Sequence, residues 1–259
     1  MNNFLLSYTL HLGDNALIIA HRNSEWCGHG PILEQDIAIS NIALDFIGQA
    51  RNFYQHAADM INAADPAAHA TEDSLAYLRD AWDFKNNLIC EIPNGDWAQT
   101  TLRQFFFSAF QYYYYRQLIN SSEQQLAAIA EKALKEVTYH LKWSSEWVIR
   151  LGDGTEESHV RLMKAVDELW PFTGEMFEET DYEKEAREAG IGVDLSVVKE
   201  QWFKKVKAVF AEATIGLPET AETETWHQSG GKTGIHTEYL GYILAEMQFL
   251  QRAYPGCEW

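Results

Sequence analysis

Four long segments with helical periodicity are the feature that most constrains the fold of this chain. Apolar residues recur in each of them at the three- and four-residue spacing of an amphipathic helix. These segments cover approximately residues 5–26, 32–64, 98–119 and 123–150. Gly28, Gly30 and Pro31 end the first one, and Asn94-Gly95 is a turn signal before the third. Long helices joined by short connections favour an antiparallel bundle.

The order of the segments suggests the kind of bundle. Two long helices, an interruption at 65–97 and two more long helices match the two-plus-two arrangement of ferritin-like proteins. Shorter helices are predicted at about 73–87, 156–178, 195–213 and 236–253. The predicted fold is therefore an all-α, ferritin-like four-helix bundle with extra C-terminal helices.

One domain over 1–259 is the simplest organisation of these elements. Its core bundle would occupy about 5–150 and its C-terminal helical extension about 155–259. A domain boundary near residue 180, in a strongly charged stretch, is the alternative.

The charge balance excludes two classes of partner. The chain has 20 Lys and Arg residues against 38 Asp and Glu residues, a net charge of −18. Such a chain repels phosphate backbones and anionic lipid surfaces, so we expect no nucleic-acid and no membrane partner.

Cys27, Cys90 and Cys257 are too few and too widely spaced for a disulfide framework. His11 and Asp14 interrupt the N-terminal apolar run, which argues against a signal peptide or membrane span and favours a cytoplasmic location.

A ferritin-like bundle raises the question of a di-iron site. Such a site takes a Glu from each of two helices and a Glu-x-x-His from each of the other two. The positions that remain in this chain are Asp14, Asp45, Glu136 and His140. Gly48 and Tyr139 stand where the two histidines are required, and the third helix has no carboxylate among its eight clustered aromatic residues. We therefore predict a degenerate site, with no metal ligand, cofactor-binding residue or catalytic residue in this chain.

The four remaining positions allow a different role. Glu136 and His140 are four residues apart, so their side chains lie about one helical turn from each other. We expect Asp14, Asp45, Glu136 and His140 to form a metal-free polar cluster in the bundle interior. Charge pairing or a shared proton would then replace the lost cation, because unpaired buried carboxylates are costly.

Three other groups of residues resemble functional motifs only superficially. Glu156-x-x-His159 follows Thr155, so it falls in the first turn of a helix, where acidic residues favour the helix dipole. GGKT at 230–233 lacks the earlier Gly of a phosphate loop and follows no predicted strand. A third group has no standard zinc spacing: His21, Glu25, Cys27 and His29.

The second helix has an unusual stripe of amides with one short acid. It comprises Asn41, Asp45, Gln49, Asn52 and His56. Such a stripe is either a hydrogen-bonded seam inside the bundle or a face against another subunit. Apolar residues of the first two helices flank it: Ile18, Ile19, Trp26, Phe46 and Phe53. We predict the contact with a partner subunit here, with Asn41, Gln49, Asn52 and Phe53 as the candidate interface residues.

Four runs of sequence carry a specific resemblance. They are SEWCGHGPILE at 24–34, NIALDFIGQARNFYQHAA at 41–58, KEVTYHLKWSSEWVIRLGDGTEESH at 135–159 and GGKTGIHTEYLGYILAEMQFLQRAYPG at 230–256. Together they closely resemble the family of C subunits of bacterial phenylacetyl-CoA epoxidases, and the likeness extends from about Leu5 to Trp259.

The resemblance implies a non-catalytic structural subunit of a multicomponent oxygenase. It implies a catalytic A subunit as partner, which carries the di-iron centre and binds phenylacetyl-CoA. A reductase with FAD and an iron–sulfur cluster would supply electrons, and the product would be the ring 1,2-epoxide of aerobic phenylacetate catabolism. The resemblance implies no cofactor in this chain.

Without the resemblance, the residues leave two other functions open. One is an active metal-dependent oxygenase, with a single iron for example. The other is a helical scaffold protein unrelated to oxygen chemistry. Metal analysis of the purified protein separates the first of these from a structural subunit, and co-purification with a di-iron homologue separates the second.

Overall fold

The computed structural model describes residues 3–218 and 227–257 of the chain. Within this part the protein is helical, with 3₁₀ turns and no strand, as the periodicity predicts. The α-helices are α1 (Asn3–Ser24), α2 (Leu33–Ala64), α3 (Glu72–Tyr77), α4 (Trp97–Leu118), α5 (Gln124–Gly152), α6 (Glu156–Leu169), α7 (Asp181–Glu188), α8 (Leu195–Glu212) and α9 (Glu238–Ala253). No helix of the described residues is long and apolar enough to cross a membrane.

The chain forms two compact units. The first consists of Met1–Pro93, Thr180–Ala186 and Gly230–Trp259, and the second of Asn94–Glu179 and Arg187–Ser229. The first unit therefore contains α1, α2, α3 and α9, and the second contains α4, α5, α6 and α8. The single domain expected over 1–259 stays a prediction.

The first unit is built on the close packing of α1 against α2. Apolar side chains from both helices are buried, among them Ile19, Phe46 and Phe53. Gly13 permits the close approach, because a Cβ atom there would lie only 2.8 Å from the Tyr54 ring. The α1–α2 pair is thus fixed by a small residue facing a large one.

The second unit is built on α4, which is buried along most of its length. Its Phe106 ring packs against the rings of Trp170, Trp202 and Phe210, with centroids 5.6–6.0 Å apart. The Trp202 indole N–H also donates a 2.9 Å hydrogen bond to the Phe106 carbonyl. A helix with aromatic residues on all sides is buried on most of them, because each exposed side would leave large rings in water.

The structure corrects two predicted helices. The helix predicted at 73–87 ends at Tyr77, and 3₁₀ turns follow at 81–83 and 88–90. The backbone N–H groups of Lys85 and Asn87 bind side chains of α1 instead of helical carbonyls. The helix predicted at 156–178 ends at Leu169, because Pro171 cannot continue its hydrogen bonds. α7 was not predicted, since its sequence has too few apolar residues to show a period.

We predict that Gly13→Ala lowers the free energy of unfolding by about 1–3 kcal/mol. The new methyl group would meet the Tyr54 ring, which cannot move aside because Asp14 and Arg79 bind its hydroxyl. The matched control is Gly48→Ala in α2, where a Cβ atom meets nothing within 4 Å. This control should gain about 0.5–1 kcal/mol from helix propensity. Urea unfolding of both variants measures the difference, and equal effects would contradict the packing argument.

Candidate functional site

Asp14 lies at the centre of a buried polar network in the first unit. Its side chain is fully buried in α1. The Tyr54 hydroxyl of α2 donates to it at 2.6 Å, and the backbone N–H of Lys85 donates at 2.8 Å. The Arg79 guanidinium forms an ion pair with it, with one N–H on each carboxylate oxygen. Protein donors therefore occupy both oxygens of this carboxylate.

Arg79 connects Asp14 to the irregular segment that follows α3. Its guanidinium also donates to the carbonyls of Leu75 and Asp83 and lies 4.2 Å from the centre of the Phe84 ring. Burial alone would lower the pKa of Arg79, but the charge and hydrogen bond of Asp14, together with Tyr54 and Asp83, outweigh burial and the pKa is raised. Burial and the same charge raise the pKa of Tyr54 well above its ordinary value. Arg79 therefore remains a cation and Tyr54 a neutral hydrogen-bond donor.

A second buried acid–base group brings together α1, α7 and the GGKT segment. The Lys232 ammonium donates to both oxygens of Glu183, at 3.0 and 3.2 Å. Burial raises the pKa of Glu183, but the charge of Lys232 and the hydrogen bonds from Lys232 and Thr180 together lower it more, so the carboxylate is ionised. His11 Nε2 lies 3.8 Å from the same carboxylate. The Lys of the apparent phosphate loop is thus held in a buried ion pair.

The third group is centred on Glu91. Its Oε1 accepts from His236 Nδ1 at 2.6 Å and from the Asn86 amide at 2.8 Å. Its Oε2 accepts from both the backbone N–H and the hydroxyl of Thr237, at 2.9 and 2.6 Å. Arg22 of α1 donates two hydrogen bonds to the backbone carbonyl of the same residue. Glu91 is fully buried and, like Asp14, has both oxygens bound.

Two histidines of this network differ in charge: one is an imidazolium and the other is neutral. Both ring nitrogens of His236 face oxygen acceptors, Glu91 at 2.6 Å and the Phe84 carbonyl at 2.9 Å. Burial lowers the pKa of His236, but the hydrogen bond and charge of Glu91, together with the Phe84 carbonyl, raise it more, so the imidazolium is favoured. His11 donates from Nδ1 to the Lys85 carbonyl, while Asn15 donates to its Nε2. Burial lowers the pKa of His11, so this ring is neutral.

The chemistry of this network is that of internal charge pairing. Asp14, Glu183 and Glu91 are each bound by a cationic side chain of the same unit. Among residues 3–218 and 227–257, no three His, Cys, Asp or Glu side chains form a group that could hold a metal ion. A di-iron centre needs several carboxylates with open lone pairs. The described donor set does not fit one.

The four predicted remnants of a metal site differ in burial. Asp14 and His140 are fully buried, whereas Asp45 and Glu136 are half-buried. Asp14 belongs to the first unit and is bound by Tyr54 and Arg79. A single polar cluster of all four positions stays a prediction.

The structure corrects part of the predicted interface. Asn41 is exposed and Asn52 half-buried, whereas Gln49 and Phe53 are buried within the chain itself. The flanking apolar residues Ile18, Ile19 and Phe46 are also buried. The predicted face mixed two sides of α2, because apolar residues occupy most of its circumference. Buried side chains cannot serve as surface contacts.

A different face of α2 is apolar and exposed. We call it the α2 stripe, and its members are Leu33, Ile37, Leu44 and Ile47. Leu33 and Leu44 are 72% and 67% exposed, which is high for leucine. The spacings of four, seven and three residues place the stripe on one side of the helix. Asn41 lies between its two halves on the same side.

The three superficial motifs have structural roles. The Thr155 side chain caps α6 by accepting from the Ser158 N–H. His159 Nδ1 lies 2.8 Å from the Gly152 carbonyl, which is a helix-end contact. Glu25, of the group without standard zinc spacing, forms an ion pair with Arg22 at 2.8 Å.

Sequence reasoning missed Arg79, Glu91, Glu183 and His236. The available signal was the concentration of charged and amide residues in 79–91, a segment of low helical periodicity next to an apolar helix. Their ion-pair partners are 49 to 145 residues away in the chain, so no spacing pattern reveals the pairing.

We predict that Arg79→Met destabilises the protein by about 3–5 kcal/mol, because it leaves Asp14 buried without its cation. The double variant Asp14→Asn with Arg79→Met should lose less than the sum of the two single variants. Urea unfolding of the three proteins measures this coupling.

The matched control is Arg51→Met. Arg51 pairs with Glu72 at 3.3 Å but is largely exposed. Its removal should change stability by about 0.5 kcal/mol or less. Additive effects of Asp14→Asn and Arg79→Met would contradict a coupled buried pair.

Similarity to known proteins agrees with the resemblance carried by the four sequence runs. A family model described as "Phenylacetic acid catabolic protein" matches residues 1–259. The C subunit of the 1,2-phenylacetyl-CoA epoxidase from Escherichia coli strain K12 is 45% identical over 257 residues, covering 99% of this chain and all of the relative. The family is ferritin-like, so the predicted fold class is confirmed. The chain belongs to the phenylacetic acid catabolic protein family.

Proposed function

We propose that this chain is a non-catalytic, structural subunit of a multicomponent oxygenase that converts phenylacetyl-CoA to its ring 1,2-epoxide. The identity of 45% along the whole chain to an epoxidase C subunit carries this proposal. The buried network of the first unit supports the non-catalytic part, since Asp14, Glu91 and Glu183 bind side chains of the protein rather than offering free lone pairs.

The partners and cofactors follow from this role. The di-iron centre belongs to a catalytic A subunit, and FAD and an iron–sulfur cluster belong to a reductase. This chain contributes no cofactor ligand. The acidic net charge favours protein partners over nucleic acid or a membrane surface. A cytoplasmic location is supported by the exposed thiols of Cys27 and Cys257, since exposed unpaired thiols suit a reducing compartment.

We place the contact with the catalytic subunit on the α2 stripe. Leu33, Ile37, Leu44 and Ile47 form an apolar stripe that is interrupted by Asn41 and has no lysine between its members. Interface cores are depleted in charge and enriched in apolar residues. An exposed apolar face such as the α2 stripe is therefore expected to be covered by a partner subunit. Asn41 supplies a polar group within the stripe that a partner side chain can bind.

The proposed mechanism of support is indirect. A helix of the catalytic subunit would pack its own apolar face onto the α2 stripe. The internal ion pairs hold α1, α2 and the 79–91 segment in fixed positions, so this chain offers a preformed surface. Binding to the folded partner then stabilises it and keeps its metal-bearing helices in register.

We predict that the isolated chain takes up no stoichiometric iron. Anaerobic loading with ferrous iron, desalting and elemental analysis measure the iron content. A ferrous ion needs carboxylates with available lone pairs, and those of Asp14 and Glu91 are bound. About two irons per chain, or epoxidation by the chain alone, would support an active oxygenase instead. Failure to co-purify with a di-iron homologue would support an unrelated scaffold.

A second prediction concerns the α2 stripe. Leu44→Glu should leave the isolated chain folded, because the residue is 67% exposed, yet it should abolish co-purification with the catalytic subunit. Pull-down of tagged subunits and the epoxidation rate of the reconstituted complex are the measurements.

Val160→Glu is the matched control for this test. Val160 is an aliphatic residue of α6 that is exposed to a similar degree, 60%. It lies outside the stripe, so assembly and activity should stay unchanged. If Leu44→Glu assembles as well as this control, the catalytic subunit binds elsewhere.

A further inference from the structure

An open groove on the second unit combines aromatic rings with lysines. It lies over α5, bounded by Tyr112 and Tyr113 of α4 and by Lys205 of α8, and has a volume of about 440 Å³. The α5 residues Leu141, Lys142, Ser145 and Glu146 line its floor and rim, together with Thr138 and Ile149. A groove of this size accommodates a small organic molecule.

Lys205 is the unusual residue of this groove. Its side chain is half-buried, and among the described residues its ammonium makes no hydrogen bond and no ion pair. Burial lowers the pKa of Lys205, and the more distant charge of Glu212 offsets this only in part. The neighbouring Lys204, by contrast, is exposed and pairs with Glu200. A half-buried ammonium without a bound acceptor suits an anionic ligand.

The remaining lining limits the kind of anion. Lys142 and Lys205 oppose the single carboxylate of Glu146, which lies 4.0 Å from Lys142, so the lining has one excess positive charge. Tyr112 and Tyr113 meet edge to face with ring centroids 5.2 Å apart, and the Arg116 guanidinium lies 5.7 Å from the Tyr112 ring. Aromatic walls favour a flat apolar ring.

We propose that this groove binds an aromatic monocarboxylate, with the carboxylate on Lys205 and the ring against Tyr112 and Tyr113. The groove is confined to the second unit, whereas the charge-paired network around Asp14 belongs to the first. A nucleotide would bring two or more phosphate charges to a lining with one excess positive charge, so it fits less well. The inference does not depend on the proposed subunit role.

Isothermal titration calorimetry of the full chain with phenylacetate tests the site. We expect saturable binding of one molecule, with a Kd on the order of 0.1–1 mM for a ligand of this size. Lys205→Met keeps the aliphatic stem and removes the charge, so it should weaken binding at least about tenfold. Lys204→Met, one position along the same helix, is the matched control and should bind like the wild type.

Three further ligands check the chemistry. Phenylacetamide lacks the charge and acetate lacks the ring, so both should bind at least about tenfold more weakly than phenylacetate. Adenosine 3′,5′-bisphosphate tests the nucleotide alternative. No saturable phenylacetate binding, equal binding by folded Lys205→Met, or tighter binding of the bisphosphate would overturn the proposal. Far-UV circular dichroism establishes that each variant is folded, and a separate pull-down with the catalytic partner distinguishes loss of this site from loss of assembly.

Discussion

The buried ion pair between Asp14 and Arg79 is the interaction on which the first unit depends. An ionised carboxylate in the interior of a protein is costly unless a cation and hydrogen-bond donors surround it. Arg79 supplies the cation, while Tyr54 and the Lys85 N–H supply the remaining donors. These contacts fix α1 to α2 and to the irregular segment after α3. The segment is not helical because its backbone groups find partners on α1.

The same principle extends to the other buried acids. Glu91 binds His236, and Glu183 binds Lys232, so each carboxylate has a cation from its own unit. In a ferritin-like protein, buried carboxylates commonly exist to hold metal ions. In this chain protein cations, not metal ions, balance the charges of the carboxylates of Asp14, Glu91 and Glu183. These three ion pairs therefore balance charges that would be unfavourable if they were buried alone.

The sequence did not predict which side chains of α2 and α8 are exposed and which are buried. α2 has apolar residues around most of its circumference, so periodicity alone could not separate its core face from its exposed face. Phe53 was predicted at the surface and is buried, whereas Leu33 and Leu44 are exposed. Similarly, Lys205 shows in the sequence only as one of several lysines of α8. Its half-burial and the tyrosines beside it result from the packing of three helices.

The sequence by itself determined the positions of the long helices, the burial of the aromatic α4, the cap at Thr155 and the family. These features depend on local spacing and composition, which a single chain segment contains. The tertiary structure alone decided the partners of Asp14 and Glu91 and the exposed face of α2. Asp14 and Arg79 are 65 residues apart, and Glu91 and His236 are 145 apart. Such pairs form because burial makes an unpartnered charge unfavourable, and only the packed chain determines which cation is within reach.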